Sequence, residues 1–482
     1  MNINEELLNA MKQYNRNTLL IGCAGCGKST IIKEFVSARN DVIVIAPSGI
    51  AAWNIGGRTM QSFFSITPYQ YTGEISMRNR LNDEIIGKIK NSNILLIDEI
   101  SMLRCEILDI VDYKLRCIRG AALPFGGIKL LFLGDFCQMG PVTLKEEYTA
   151  LRGLYKNAND DYNFYNANVM RTNNFFNNSF DIYKIDKDYR HKDDIPFRNM
   201  LATIRMGKIS ARELAILNER YIGRDFFNEN YQYLTVTNSV AAKYNSYFYE
   251  KLKGVEYISN ARIYVYYGDS SFIKNPFKEI LKLKENMRII FVKNDNKKNG
   301  NRWVNGSMGR IIRINSANSC LDDVFSVVVE IRGVQHEIFR ERYGLMSYSK
   351  YEGWMVQGGS IEQFPFIPSW AITIDKSQGL TLDRIAIVME NRNRENQMYV
   401  ALSRARKLND VVILERKVRP SDICFSDTMK DFLDSIKNRM IMVEDNKTIN
   451  SIVNINEKNY GTIIIHNHIE KSNRSNKYMV NL

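Results

Sequence analysis

The sequence predicts an α/β protein with two parallel-sheet lobes and a small β-barrel inserted in the second. Three observations carry this. Short, unbroken apolar runs recur in the first half: "TLLIG", "DVIVIAPSG", "ILLIDE" and "KLLFLGDFCQ". Runs of that kind suit parallel strands covered on both faces. The theme returns later in "YQYLTVTN", "WAITIDKSQG", "DRIAIVME" and "VVILE", with no detectable repeat of sequence. Between them, over 285–364, lie "MRIIFVKNDN", "GRIIRIN" and "VFSVVVEIRG". These alternate and are broken by Asn/Gly turns, as expected for a small barrel.

Each early run ends in useful chemistry. "TLLIG" enters a glycine loop, the second run ends in Pro47-Ser48-Gly49, the third in Asp98-Glu99, and the fourth in Asp135 and Gln138. Ligands of parallel sheets gather at the carboxyl ends of the strands, so four such tips predict one nucleotide site. Residues 65–92 read as a polar insertion in the first lobe, and the chain turns Asn- and Lys-rich after about 440, with one strand-like run, "YGTIIIHNH".

The chain has 482 residues, is 45% hydrophobic and 25% charged, and carries a net charge of +13. That excess favours a polyanionic partner such as nucleic acid. Seven scattered cysteines do not form a disulfide framework and point to a reducing compartment. The N-terminus shows no signal-peptide core, and no apolar run reaches membrane-span length. A soluble, intracellular protein is expected, with no membrane partner.

"GCAGCGKST", residues 22–30, admits two readings. Cys23 and Cys26 form a Cys-x-x-Cys pair, which can be a redox couple or half a zinc site. The stretch also fits Gly-x-x-x-x-Gly-Lys-Ser, a phosphate loop. It lies between a strand-like run and "STIIKEFVSA", whose Ile31, Ile32, Phe35 and Val36 make a helical apolar face. That strand–loop–helix context favours phosphate; no second Cys/His pair supports zinc, and no thioredoxin-like context supports a redox couple. Backbone N–H groups of Gly22, Ala24, Gly25 and Gly27 would approach the phosphates, Lys28 would reach the β- and γ-phosphates, and Ser29, followed by Thr30, would bind Mg²⁺. Asp98 is the expected Mg²⁺ partner, and Glu99 the base for an attacking water. His466 and His468 in "HNH" share a strand face but lack further ligands, so an incidental pair is favoured.

"LLIDEISM", "LPFGGIKLLFLGDFCQMGPV", "WAITIDKSQGLTLD" and "YVALSRAR" together resemble the superfamily 1B DNA helicases of the petite-integration-frequency (PIF) type, relatives of RecD. The resemblance spans nearly all of residues 1–430. It implies two RecA-like P-loop domains with an inserted SH3-like barrel, ATP and Mg²⁺ as cofactors, and 5′→3′ movement on single-stranded DNA. It divides the chain into RecA-like domain one, 1–175, with a small insertion near 65–92; the first part of domain two, 176–284; the barrel, 285–364; the rest of domain two, 365–435; and a C-terminal extension, 436–482. Gln138 resembles the γ-phosphate sensor. Arg190 in "DKDYRHKDD" and Arg404 in "ALSRA" resemble the arginines that cross the cleft from the second lobe. Gln378 is implied both for DNA contact, as part of "ITIDKSQG", and, with Gly379, for nucleotide binding. DNA contacts are implied for Ser48, Thr59, Gln61 and Phe63, for Asn305 in "WVNGSMG", and for Thr373, Lys376 and Ser377. Hydroxyls, amides and Lys suit sequence-independent phosphate contact, and aromatic stacking tolerates any base; for Phe63, core packing is an equal alternative.

Some positions depart from the family pattern. Leu7 stands where an adenine-reading Gln is usual, Asp375 and Gln61 replace His, His191 replaces Gln, and Gly140 loosens a Pro-Pro turn. The expected activity is that of a monomeric ATP-dependent helicase acting on single-stranded DNA and DNA junctions. A DNA-binding scaffold without turnover and a P-loop kinase are the alternatives.

Overall fold

The computed structural model describes residues 16–67, 70–77, 80–143, 147–185, 187–266, 276–295, 302–316, 324–349, 354–391 and 394–443. Leu7, the run 460–468 and both histidines of "HNH" lie outside the described residues.

The apolar runs of the first half form one parallel sheet. Its order from one edge is Met440–Val443, Phe180–Ile185, Asn17–Gly22, Lys129–Gly134, Ile94–Ile97, Val42–Ala46 and Arg58–Thr59. The central strands "VIVIA" and "ILLI" are buried at every position, because helices cover both faces. On one face Cys105–Arg119 packs Leu108, Val111 and Leu115, and ends at Gly120, whose φ of 62° supplies the left-handed turn. On the other, Lys28–Ser37 packs Ile31, Ile32 and Phe35.

A second parallel sheet runs Ala371–Thr373, Gln232–Thr235, Ile385–Val388, Val411–Leu414 and Tyr221–Gly223. Its helices start at orthodox caps: the Thr237 hydroxyl accepts from Val240 N, and Ser210 and Glu213 form a capping box. The inserted five-stranded antiparallel sheet runs Val334–Phe339, Val324–Ile331, Met308–Ser316, Arg288–Phe291 and Phe366–Pro368. Its centre is Trp303, fully buried and stacked on Phe291 at 4.6 Å.

The expected two-lobed α/β architecture with an inserted β module is present, but chain segments change sides at its edges. Phe180–Ile185 pairs along its whole length with Asn17–Gly22, so the first lobe extends to 185 rather than 175. The insertion begins at Tyr257–Asn260, before 285; these residues pair with Ile280–Leu283, and Arg262–Val265 pairs with Trp354–Gln363. Arg262–Val265 is exposed at all four positions, so it carries none of the alternation that marks a half-buried strand. Asp427–Ile436, expected in the second lobe up to 435, returns to the first: Met429, Phe432 and Ile436 enter its core, and Phe432 stacks on Tyr165 at 4.1 Å. Met440–Val443 then adds the edge strand.

Candidate active site

The glycine loop leaves Asn17–Gly22 and enters Lys28–Ser37. Gly25 and Gly27 have φ of 84° and 89°, the left-handed region that favours glycine. A Cβ on Gly25 would lie 2.4 Å from Arg190 Cβ, so only glycine admits the 188–190 segment against the loop. Lys28 is buried; its ammonium donates to Gly22 O (2.7 Å) and Cys23 O (2.9 Å) and lies 3.6 Å from Cys26 Sγ. Burial opposes its charge, but Cys26, Asp135 and Glu99 outweigh this and hold its pKa above the usual lysine value.

A cavity of about 370 Å³ opens over this loop, lined by residues 24–30, Asp98, Glu99, Gln138, Arg190, Gly379 and Arg404. All six residues expected to carry catalysis therefore meet at one place. Asp98 Oδ1 accepts from Glu99 N at 2.9 Å, and burial, then the Glu99 charge, push the Asp98 carboxyl up to about 7. Glu99 sits at φ 52°; burial raises its pKa too, and its buried Oε2 has no partner. Gln138 donates to Asp135 Oδ2 at 3.2 Å, leaving Oε1 unpartnered. Two buried oxygens without partners beside a phosphate loop match a site completed by a ligand that brings water or donors. Arg404 is 1% exposed and spends its donors on Val400 O, Leu380 O and Ser403 Oγ. Burial and the nearby Arg190 lower its pKa to about 10.

Arg190 comes from the second lobe, as expected from sequence, but from its first residues rather than from its body. It lies on the connector after Phe180–Ile185, held by Tyr189 N–H donating to Gly25 O at 3.0 Å and by its own guanidinium on Ser403 O at 2.8 Å. His191 anchors the same segment: it is 1% exposed and bridges Asp188 Oδ2 (2.6 Å) and Ala405 O (2.9 Å).

Asp135 stands at an expected strand tip, but Arg205, Tyr399 and Arg406 were not expected from sequence. Asp135 is fully buried, takes Arg205 at 2.8 Å, and accepts from the Tyr399 hydroxyl at 3.0 Å. Tyr399 Oη also accepts from Ala24 N–H of the loop at 3.2 Å. Burial works against the Asp135 charge, but Arg205 and Lys28 keep its pKa below the usual carboxylate value. This network ties the loop, the Gln138 strand tip and two second-lobe helices into one unit. Arg406, in "SRAR", also lines the cavity; a second arginine two residues after Arg404 was the available signal.

A groove of about 480 Å³ opens on the other side of the lobe contact. Ser48, Gly49, Thr59, Gln61, Asn294, Asn305, Asp375, Lys376 and Gln378 are among its lining. The turn at Asn305 reaches the first lobe: a Cβ on Gly49 would fall 2.8 Å from Asn305 O. Ser48 and Thr59 cap the helices that follow, accepting from Ala51 N and Ser62 N. Gln378 lines this groove rather than the nucleotide cavity, and both polar atoms of its buried amide are unpartnered. Phe63 is not a stacking platform: it is 2% exposed, in the first core, edge-on to Phe64 at 5.0 Å. Thr373 and Ser377 are buried and do not line the groove; the Ser377 hydroxyl is spent on Ile374 O at 2.7 Å. Asp375 faces the groove, with its charge paired to Arg394 at 2.7 Å.

Two RecA-like lobes closing on a glycine loop, with arginines converging from outside that loop, define a two-lobed P-loop nucleotide-binding protein. The family model for PIF1-like helicases matches residues 2–214. The ATP-dependent DNA helicase Pif1 of Bdellovibrio bacteriovorus is 28% identical over 400 residues, covering 81% of this chain and 82% of that one. The crystal structure of Bacteroides Pif1 bound to ssDNA is similar with a TM-score of 0.77 and 30% identity, over 91% of this chain and 97% of that one. The Bacteroides Pif1 complex with ADP-AlF3 and ssDNA matches at 29% identity with the same coverage and a TM-score of 0.77. The chain belongs to the PIF1-like helicase family.

Proposed function

We propose that this chain is an ATP-dependent DNA helicase that moves 5′→3′ on single-stranded DNA held in the groove. One observation carries this reading: single short elements border both cavities. Ser48, Gly49 and Ile50 line the groove, while Ala51 and Asn54 of the same helix line the nucleotide cavity. Gln378 lines the groove and Gly379 the nucleotide cavity, and Asn54 Nδ2 donates to Gly379 O at 3.4 Å. A change at the phosphates is therefore felt at the groove within one helical turn, which suits coupling of hydrolysis to movement.

In this reading Lys28 and the loop amides hold the phosphates. Glu99, through its free Oε2, orients and deprotonates the attacking water, and Gln138 senses the γ-phosphate. Arg190 and Arg404 stabilise charge on the transferred group. Ser29 and Asp98 would hold Mg²⁺ together with phosphate oxygens, and the ion would neutralise charge on them. Among the described residues no cluster of three or more His, Cys, Asp or Glu could hold a metal by itself, which fits an ion that enters with the nucleotide. Lys376, Gln61, Asn305 and the two cap hydroxyls suit backbone contact without base readout. We assign domain one to 16–185 plus 427–443, domain two to 187–256 with 369–423, and the insertion to 257–368. Both arginines come from this same chain, so a monomer suffices for turnover.

The test is ATP hydrolysis with and without single-stranded DNA, for wild type, Lys28→Ala and Glu99→Gln. DNA should stimulate the wild type, and each variant should lose on the order of 10²-fold or more. Normal turnover in either variant overturns the site assignment. Hydrolysis indifferent to DNA overturns the motor reading, and displacement of strands only from 3′-tailed duplexes overturns the polarity.

A further inference from the structure

The loop carries two thiols that phosphate binding does not require, since the motif accepts any residue at those positions. Cys26 N–H donates to Cys23 O at 3.3 Å, and Gly25 stands third in the turn with φ 84°. A turn closed in this way keeps its first and last Cα within about 7 Å, and a disulfide spans Cα separations of about 4.4–6.8 Å. Both cysteines are free, and their side chains interact directly. Cys26 Sγ lies 3.6 Å from the Lys28 ammonium, which favours a thiolate, and Cys26 lines the phosphate cavity. Cys26 is 1% exposed, and that cavity is its route to an oxidant as small as a peroxide.

We infer that Cys23 and Cys26 are a modification site: a peroxide links them in a reversible disulfide that closes the phosphate cavity to nucleotide. This rests on the reading of the loop as the nucleotide site. The Cys26 thiolate attacks one peroxide oxygen, the O–O bond breaks, and the hydroxide released takes a proton to become water. The sulfur of Cys23 then attacks the Cys26 sulfenic acid; the S–O bond breaks, the S–S bond forms, and a second water leaves. Two electrons pass from the thiol pair to the peroxide, and a dithiol reductant returns them. The linkage pulls Cys26 Sγ from two places at once. It now packs beneath Gly22, where a Cβ would lie 2.4 Å from it, and it partners Lys28. Losing both reshapes the amide cradle and leaves the lysine held only by carbonyls.

The whole chain is treated with stoichiometric hydrogen peroxide and mapped without reduction, beside binding of a fluorescent ADP analogue and DNA-stimulated hydrolysis. Residues 17–28 form one tryptic peptide that holds both thiols. That peptide should lose two hydrogens, and turnover should fall on the order of 10²-fold, as for small misplacements of catalytic geometry. Dithiothreitol should restore both. Cys23→Ser, lacking the second thiol, should instead give a Cys26 sulfenic acid trapped by dimedone and no internal linkage. The peptide staying reduced while exposed Cys117 oxidises overturns the proposal, as does linkage with undiminished analogue binding. Reduced protein that fails to bind the analogue would sink the nucleotide reading itself, and the mass of the peptide reports the linkage independently.

Discussion

The two cavities at the lobe contact are built from opposite materials. The phosphate side is made of buried charge: Lys28, Asp98, Asp135 and Arg404 are buried with Glu99 beside them, and backbone carbonyls, a backbone amide and Arg205 hold their geometry. The groove is made of helix caps, backbone and exposed side chains such as Gln61 and Lys376, and its one carboxylate is already neutralised by Arg394. The contrast teaches where precision is required. Stabilising a developing phosphoryl charge demands preorganised, desolvated donors. Holding a strand that must slide demands contacts that are many, weak and indifferent to sequence.

The largest effect that would break this contrast is at the arginines. Arg190→Ala and Arg404→Ala should each lower DNA-stimulated hydrolysis by about 10³–10⁵ while leaving DNA affinity within a few-fold, as arginine fingers do elsewhere. Equal loss of DNA binding would show that the two sides are not separable. Next is Phe63→Ala. Its ring is core, so it should cost about 3–5 kcal/mol of stability in denaturant unfolding and leave the affinity of the folded protein for DNA unchanged. A loss of affinity without a loss of stability would return Phe63 to the groove.

The third test uses pH. Asp98 is raised from 3.8 to about 7 by burial and by Glu99. The fold therefore keeps a proton that the unfolded chain has lost. Stability from this group is complete below 3.8 and is lost as pH climbs through about 7. Wild type should lose more Tm than Asp98→Asn between about pH 5 and 7.5, by differential scanning fluorimetry without nucleotide. Parallel slopes would remove the buried-charge account of the cavity. The smallest effect belongs to the groove: with its charge paired, Asp375→Asn should change DNA affinity less than about threefold. Arg394→Ala, which bares the carboxylate, should weaken it more, measured by fluorescence anisotropy across a salt series.

What was legible in the sequence was contiguous. The glycine loop, Asp98-Glu99, Gln138 and "YVALSRAR" each pack their chemistry into a few residues at a strand or helix end, and they converge as expected. What was hidden is held by partners far apart in sequence. Asp135 meets Arg205 70 residues later and Tyr399 264 residues later, with no local pattern to announce either. Phe63, for which core packing was the equal alternative, and Ser377 face the core for a different reason: a motif names a segment, and alternate residues in it turn inward, as 2% exposure for Phe63 and full burial for Ser377 show. The lobe boundaries shifted because strand pairing and helix docking, not composition, decide which sheet a segment joins.

One of those shifts has a mechanical side. The chain crosses between lobes once after Phe180–Ile185, and again near Phe425, before Asp427–Ile436 docks back on the first lobe. Phe425 touches both lobe cores and sits against Gly207, where a Cβ would come within 2.7 Å of it. A single tether lets two bodies swivel about it; two tethers define an axis. Two crossings of the chain favour opening and shutting, like a door on a pair of hinges, over swivelling, and that bias comes from connectivity alone.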